Sequence, residues 1–189
     1  MLEAIEAAVA GSEGHPLIVA LDGPGGSGKS TLAAAVGSLV GAAVIDGDDF
    51  YMGPPPGGWL AIEPAERIGL CIDWHRQRSV LQALSERQEA RWQPYDWDLD
   101  NGALSEAWRR HSPADVVILE GTFAAHPELA DIVSLSVLLD IPYEDQRKRF
   151  IARDGTDYWR EWSRIWNPTE DHYFSQVVLP TDFDLIVST

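Results

Sequence analysis

The stretch LIVALDGPGGSGKS, residues 17 to 30, constrains the chain more than any other. Its unbroken apolar run reads as a strand buried on both faces, the kind found inside a parallel sheet. The turn that follows has the spacing G-x-x-x-x-G-K-S from Gly23 to Ser30, and STLAAAVGSLVG continues with helical character. A strand, a glycine-rich turn and a helix in that order form a nest of backbone N–H groups with a helix N-terminus behind it. Such a nest takes an anion, and this spacing is that of a phosphate-binding loop. Its residues are Gly23, Gly25, Gly26, Ser27, Gly28, Lys29, Ser30 and Thr31. Lys29 is placed to reach the β- and γ-phosphates of a nucleotide, and the Ser30 hydroxyl to sit on Mg²⁺. Lys148 is the only other lysine in the chain, which makes a lysine at this point more telling.

The remaining apolar runs supply a sheet. AAVIDGD, ADVVILEG, SLSVLLDI and DFDLIVS read as four more strands, alternating with helical stretches. PAERIGLCIDWHRQRSVLQALSERQ is a long helical segment with room for a break, and PYEDQRKRFIARD is a helix with Pro142 in its first turn. GPPPGGW, residues 53 to 59, is a loop. Alternating strands and helices imply right-handed crossovers and a parallel sheet with helices on both faces. The expectation is one α/β domain over residues 1–189, a three-layer α/β/α sandwich around a five-stranded parallel sheet.

Charge narrows the partners. The 189 residues carry a net charge of -16, which argues against a nucleic acid as main partner because phosphate backbones need Lys and Arg. No apolar run approaches a membrane span. MLEAIEAAVAG has Glu3 and Glu6 and no basic run, so it reads as a short amphipathic helix rather than an export signal. The single cysteine, Cys71, reads as a buried packing thiol, and a cytoplasmic location fits. Assembly into a homo-oligomer stays open.

VIDGDDFYMG puts Asp46, Asp48 and Asp49 at the end of the second strand, and Glu120 ends the third. Ligands of open α/β sheets lie at the carboxyl ends of the strands, so these acids should converge on the phosphate loop. A carboxylate there can accept the proton of a bound hydroxyl, whereas a cluster of them repels a second phosphate. The pattern favours transfer of a phosphoryl group to a neutral hydroxyl. An Asn-Lys-x-Asp guanine signature is missing, which weakens a GTPase. Tyr51 and Tyr95 adjoin acids and are candidates for the acceptor's wall, while the tryptophans around them read mostly as packing residues. Arg149 and Arg153 share one helix face, and Arg160 and Arg164 repeat the spacing, which suits a lid over roughly 153–170 that clamps phosphates.

Together, GPGGSGKST, GDDFY, PYDW, VVILEG, RKRFIARD and LPTDFDLIV resemble the uridine kinase and phosphoribulokinase family of phosphate-loop kinases. The resemblance covers most of the chain in the right order. It implies a phosphate-loop kinase sandwich with a helical lid, ATP and Mg²⁺ as cofactors, and a small-molecule hydroxyl acceptor, a nucleoside first. It puts the base on Asp48, with Asp49 as the alternative. Mg²⁺ falls to Ser30, Asp48 and Glu120, and the sugar and base to Tyr51 and Tyr95. The lid arginines fall on Arg149 and Arg153, with Arg160 further along. For the acid on the ribose hydroxyls Asp73, Glu66 and Glu63 compete. The family's histidine after the YDF tyrosine has no counterpart in YDWDLDNG. A monophosphate, pantothenate or a sugar acid remains an alternative acceptor, for which Arg67, Arg76 and Arg78 are available. So does a regulatory protein that binds the nucleotide and hydrolyses it slowly or not at all. The choice of ATP or GTP is open.

Overall fold

A computed structural model describes residues 1–12 and 14–189. Strands β1 (Leu17–Asp22), β2 (Ala43–Asp46), β5 (Val116–Glu120), β6 (Leu135–Asp140) and β7 (Leu185–Ser188) form one parallel sheet in the order β2-β5-β1-β6-β7. β1 and β5 are central and buried at every position, as their continuous apolar sequences require. Side chains alternate across the sheet. Val19, Leu21, Ile118 and Val137 face α1 (Leu2–Gly11) and α2 (Lys29–Val40), packing on Ile5, Ala33 and Val36. Ile18, Ala20, Val117 and Leu119 face the other way, onto Val80, Leu81 and Leu84 of α4 (Trp74–Ser85). The three layers and five parallel strands are those expected, and no helix among the described residues is long and apolar enough to cross a membrane.

The long helical segment breaks at Ile72 and Asp73 into α3 (Pro64–Cys71) and α4, and Asp73 caps α4 by accepting from Arg76 N–H at 3.0 Å. Pro142 is the N-cap of α5 (Tyr143–Asp154), one residue earlier than a first-turn position. α6 (Thr156–His172) follows after Gly155, which takes φ +90°. α3 and α6 are tied by Arg67. It is 5% exposed, and it donates to Trp59 O (2.9 Å), Ile62 O (2.8 Å), Ile165 O (2.5 Å) and Thr169 Oγ1 (3.2 Å).

One element was not expected. β3 (Ala90–Trp92) and β4 (Arg109–His111) pair antiparallel as a separate ribbon. ARW alternates, but three residues are too few to mark a strand, and RRH does not alternate at all. The ribbon stands on tertiary contacts: Trp92 stacks with Phe50 at 6.1 Å, and α4 packs beneath it.

Candidate active site

The phosphate loop joins β1 to α2. Gly23 has φ +150°, and a Cβ there would lie 2.4 Å from Leu139 O. Gly28 is the left-handed N-cap of α2 at φ +100°. Only glycine meets both demands at no cost. No acid stands in the first turn of α2, so its positive end is free for an anion. Lys29 is 7% exposed and folds back on the loop, donating to Gly23 O at 2.8 Å and Pro24 O at 3.0 Å. Ser30 lines the cavity beside it, while Thr31 is exposed and outside the cavity wall.

The acids arrive as the sheet order requires. Asp46 is in register with Glu120 on β5, and Glu120 with Leu21 on β1. Asp46 is occupied locally, accepting from Asp48 N–H at 3.0 Å. Asp49 turns away from the cavity. It is 2% exposed, accepts from Trp92 Nε1 at 2.7 Å and pairs with Arg109 at 3.1 Å. Asp48 is the acid of the three that lines the cavity, together with Glu120. Burial lifts Glu120 to about 7; repulsion from Asp46 adds to that and the nearby Ser30 hydroxyl and Lys29 oppose it. Asp48 is open to solvent on one side. Desolvation at the foot of the cleft and the Asp46 charge still hold it up, at about 6.

The cavity of about 260 Å³ is lined by loop residues, by Asp48 and by the uncharged Tyr51, Ile72, Trp97, Tyr158 and Trp166, which form an aromatic wall. Tyr51 stacks on Trp97 at 5.0 Å and 9°, meets Tyr95 edge-on at 4.9 Å, and accepts from Trp59 Nε1. Cys71 backs this wall at 1% exposure, and burial raises its thiol, as suits a packing residue. Among the described residues Lys29 and Arg153 are the only cations lining the cavity. Arg153 lies over the Phe150 ring at 4.9 Å and pairs with Asp154 at 2.7 Å.

Several expected residues stand elsewhere. Tyr95 is 2% exposed behind Tyr51 and donates to Asp100 Oδ1 at 2.6 Å, so it supports the wall without forming it. Asp49 is held by the ribbon, and Asp73 is a helix cap. Arg160 pairs with Asp157 on the outside of α6 at 2.9 Å. Arg149 grips the back of the loop, donating to Ser27 O at 2.8 Å. Arg67, Arg76 and Arg78 do not line the cavity. Arg67 is spent on α3 and α6, Arg76 on Gln93 O and the Phe50 ring, and Arg78 on Asp131.

Two buried acids escaped sequence reading. Asp22 closes β1 and is fully buried. It accepts from Gly23 N–H, Phe123 N–H, Ala125 N–H and Tyr173 OH at 2.7 to 2.9 Å. Its place directly before the glycine loop was the available signal. Glu170, on α6, reaches the loop from a distant part of the chain, with no local pattern to announce it.

No protein-family model matches the chain. Solved structures do match over nearly its whole length. A provisionally assigned fructose transport system kinase from Silicibacter sp. superposes with a TM-score of 0.75 at 22% identity, covering 99% of this chain and 98% of that one. A provisionally assigned uridine kinase from Bacillus stearothermophilus gives 0.66 at 22%, covering 91% and 88%. D-glycerate 3-kinase from Cryptococcus neoformans gives 0.60 at 16%, covering 100% and 95%. The chain has the phosphate-loop kinase fold of the uridine kinase-like type. At these identities the likeness is one of fold, and the acceptors named for those proteins are of three different kinds.

Proposed function

We propose that the protein transfers the γ-phosphoryl group of ATP to a hydroxyl of an uncharged small molecule, a nucleoside being the first candidate. The observation that carries this reading is the cavity itself: among the described residues Lys29 and Arg153 are its only cations, and Asp48 shares it with the uncharged Tyr51, Trp97 and Trp166. A phosphate or carboxylate on the acceptor would need a positive partner in that wall. Arg67, Arg76 and Arg78 are all committed elsewhere.

The loop N–H groups, the N-terminus of α2 and Lys29 bind and orient the nucleotide phosphates. Arg153 adds a second cation for the group in transfer. Asp48 orients the acceptor hydroxyl and takes its proton as the oxygen bonds to the γ-phosphorus. The bond from that phosphorus to the bridging oxygen breaks, and ADP leaves with the electron pair. Among the described residues no three His, Cys, Asp or Glu side chains form a ready cage for a metal. Mg²⁺ held partly by phosphates needs only one or two carboxylates and a hydroxyl, which Ser30, Asp48 and Glu120 supply. When bound it would neutralise phosphate charge.

The test is ADP release from Mg-ATP against nucleosides, deoxynucleosides, monophosphates, pantothenate and sugar acids, with Lys29→Ala as the blank. Release that depends on an uncharged acceptor supports the reading. Release that depends only on a monophosphate or an acid would sink the uncharged acceptor.

A further inference from the structure

Glu170 has no part in the reaction above, yet it lies on the phosphate loop. Its Oε1 accepts from Gly25 N–H at 2.7 Å, and its Oε2 accepts from Gln146 Nε2 of α5 at 3.1 Å. The side chain is 5% exposed and lines the same cavity as Lys29 and Ser30. A second contact from α6 lies beside it. A Cβ added to Gly25 would stand 2.7 Å from the Trp162 ring, so that indole presses on the loop at the same residue. The helix holds Gly25 by a carboxylate and a ring.

The carboxylate does there what a phosphate oxygen does: it is an anion accepting a loop N–H. A γ-phosphate arriving at the loop meets a donor already in use and a like charge beside it. We propose that Glu170 is an internal stand-in for the γ-phosphate, a latch whose carboxylate holds the Gly25 N–H of the phosphate loop until a nucleoside triphosphate displaces it. This rests on the nucleotide reading of the loop. A diphosphate leaves the Gly25 N–H to Glu170, so the latch stays closed. A triphosphate takes that donor and turns the Glu170 side chain off the loop, while Arg67 still holds α6 at Ile165 and Thr169. The groups facing Glu170 are Asp22 from β1, Lys29 from α2 and Gln146 from α5. Burial brings its carboxyl to about 7; the Gly25 N–H, Lys29 and Gln146 oppose the rise and Asp22 adds to it. Leaving the loop as a neutral acid is then within easy reach.

Calorimetric titration of the wild type and Glu170→Gln with Mg-ADP and with the Mg complex of the β,γ-imido analogue of ATP reads the latch. Glutamine keeps the shape and removes the charge. The analogue should bind about tenfold more tightly to the variant, with ADP changed by less than about twofold. Should Glu170→Gln not fold, Gln146→Met removes only the support of Oε2 and is expected to shift the ratio in the same direction. Equal shifts for both nucleotides, or weaker binding of the analogue to the variant, would make Glu170 a mere strut and overturn the latch while leaving the nucleotide reading intact. Failure of either nucleotide to bind the wild type would instead remove the nucleotide reading, and the latch with it.

Discussion

Replacing Asp22 by asparagine should loosen the phosphate loop from below. One carboxylate oxygen accepts from Gly23 N–H (2.7 Å) and Phe123 N–H (2.9 Å); the other accepts from Ala125 N–H (2.9 Å) and Tyr173 OH (2.8 Å). These donors belong to the loop, to the turn after β5 and to the segment after α6, so a single buried group ties three parts of the site together. Asparagine keeps the shape, and its NH₂ can donate to the Tyr173 hydroxyl, but it leaves Ala125 N–H without an acceptor, and the bonds from Gly23 and Phe123 lose their charge. One hydrogen bond to a charged group lost, at about 1.5–3 kcal/mol, and two others weakened by about 1 kcal/mol each give roughly 3.5–5 kcal/mol. Burial acts in the other direction. It holds the Asp22 carboxyl above its usual range, and a neutral amide avoids part of that desolvation. A net loss of about 3 kcal/mol results. With 189 residues the unfolding entropy is roughly 0.4 kcal/mol/K, so Tm should fall by about 7 °C. Thermal unfolding followed by near-ultraviolet circular dichroism reads this. Tyr173→Phe leaves Asp22 with its other donors and should cost about 1 kcal/mol, or about 2–3 °C. An Asp22→Asn protein that melts within about 2 °C of the wild type would refute the picture of a strained carboxylate held by its donors.

Asp48→Asn should lower kcat by about 10²–10⁴ while leaving the KM for ATP within a few fold, measured by steady-state kinetics. Near-normal turnover would remove Asp48 as the base. Arg67→Met leaves carbonyl groups of the segment around Trp59 and of α6 without a donor, and should cost about 3 kcal/mol in urea denaturation with no change in slope. For Glu170 the folded carboxyl titrates at about 7 and the unfolded one at 4.5. Between these values the folded state binds more protons, so stability is greatest below the unfolded pKa and is lost as pH rises towards 7. The loss is up to about 3 kcal/mol, and Glu170→Gln should flatten this slope in denaturation curves at several pH values. Trp97→Ala exposes the outer ring face of Tyr51 and should raise the acceptor KM by about tenfold with a smaller effect on kcat.

The phosphate loop was legible because its chemistry is local: strand, glycines, lysine and helix are consecutive. The five parallel strands were legible for the same reason, since strands buried on both faces announce themselves as apolar runs. The convergence of Asp48 and Glu120 followed from the rule that ligands gather at the carboxyl ends of parallel strands, given that β2 and β5 are neighbours. Assigning a direction to each acid did not. Asp48 and Asp49 are neighbours, and what turns Asp49 inward is Trp92 and Arg109 on a ribbon that its own sequence does not reveal. Tyr95 and Tyr51 looked alike in the chain, yet one is covered by the other. Glu170 depends on where α6 crosses the loop, a matter of packing between segments far apart in sequence.

The most direct measurement follows the label of [γ-³²P]ATP in the wild type and in Asp48→Asn, with the acceptor that best drives ADP release. The expected result is label on an organic hydroxyl of an uncharged product, formed in step with ADP and nearly lost in Asp48→Asn. Label recovered only as inorganic phosphate, at a rate indifferent to both acceptor and Asp48, would contradict a kinase and leave a nucleotide-binding protein that hydrolyses slowly.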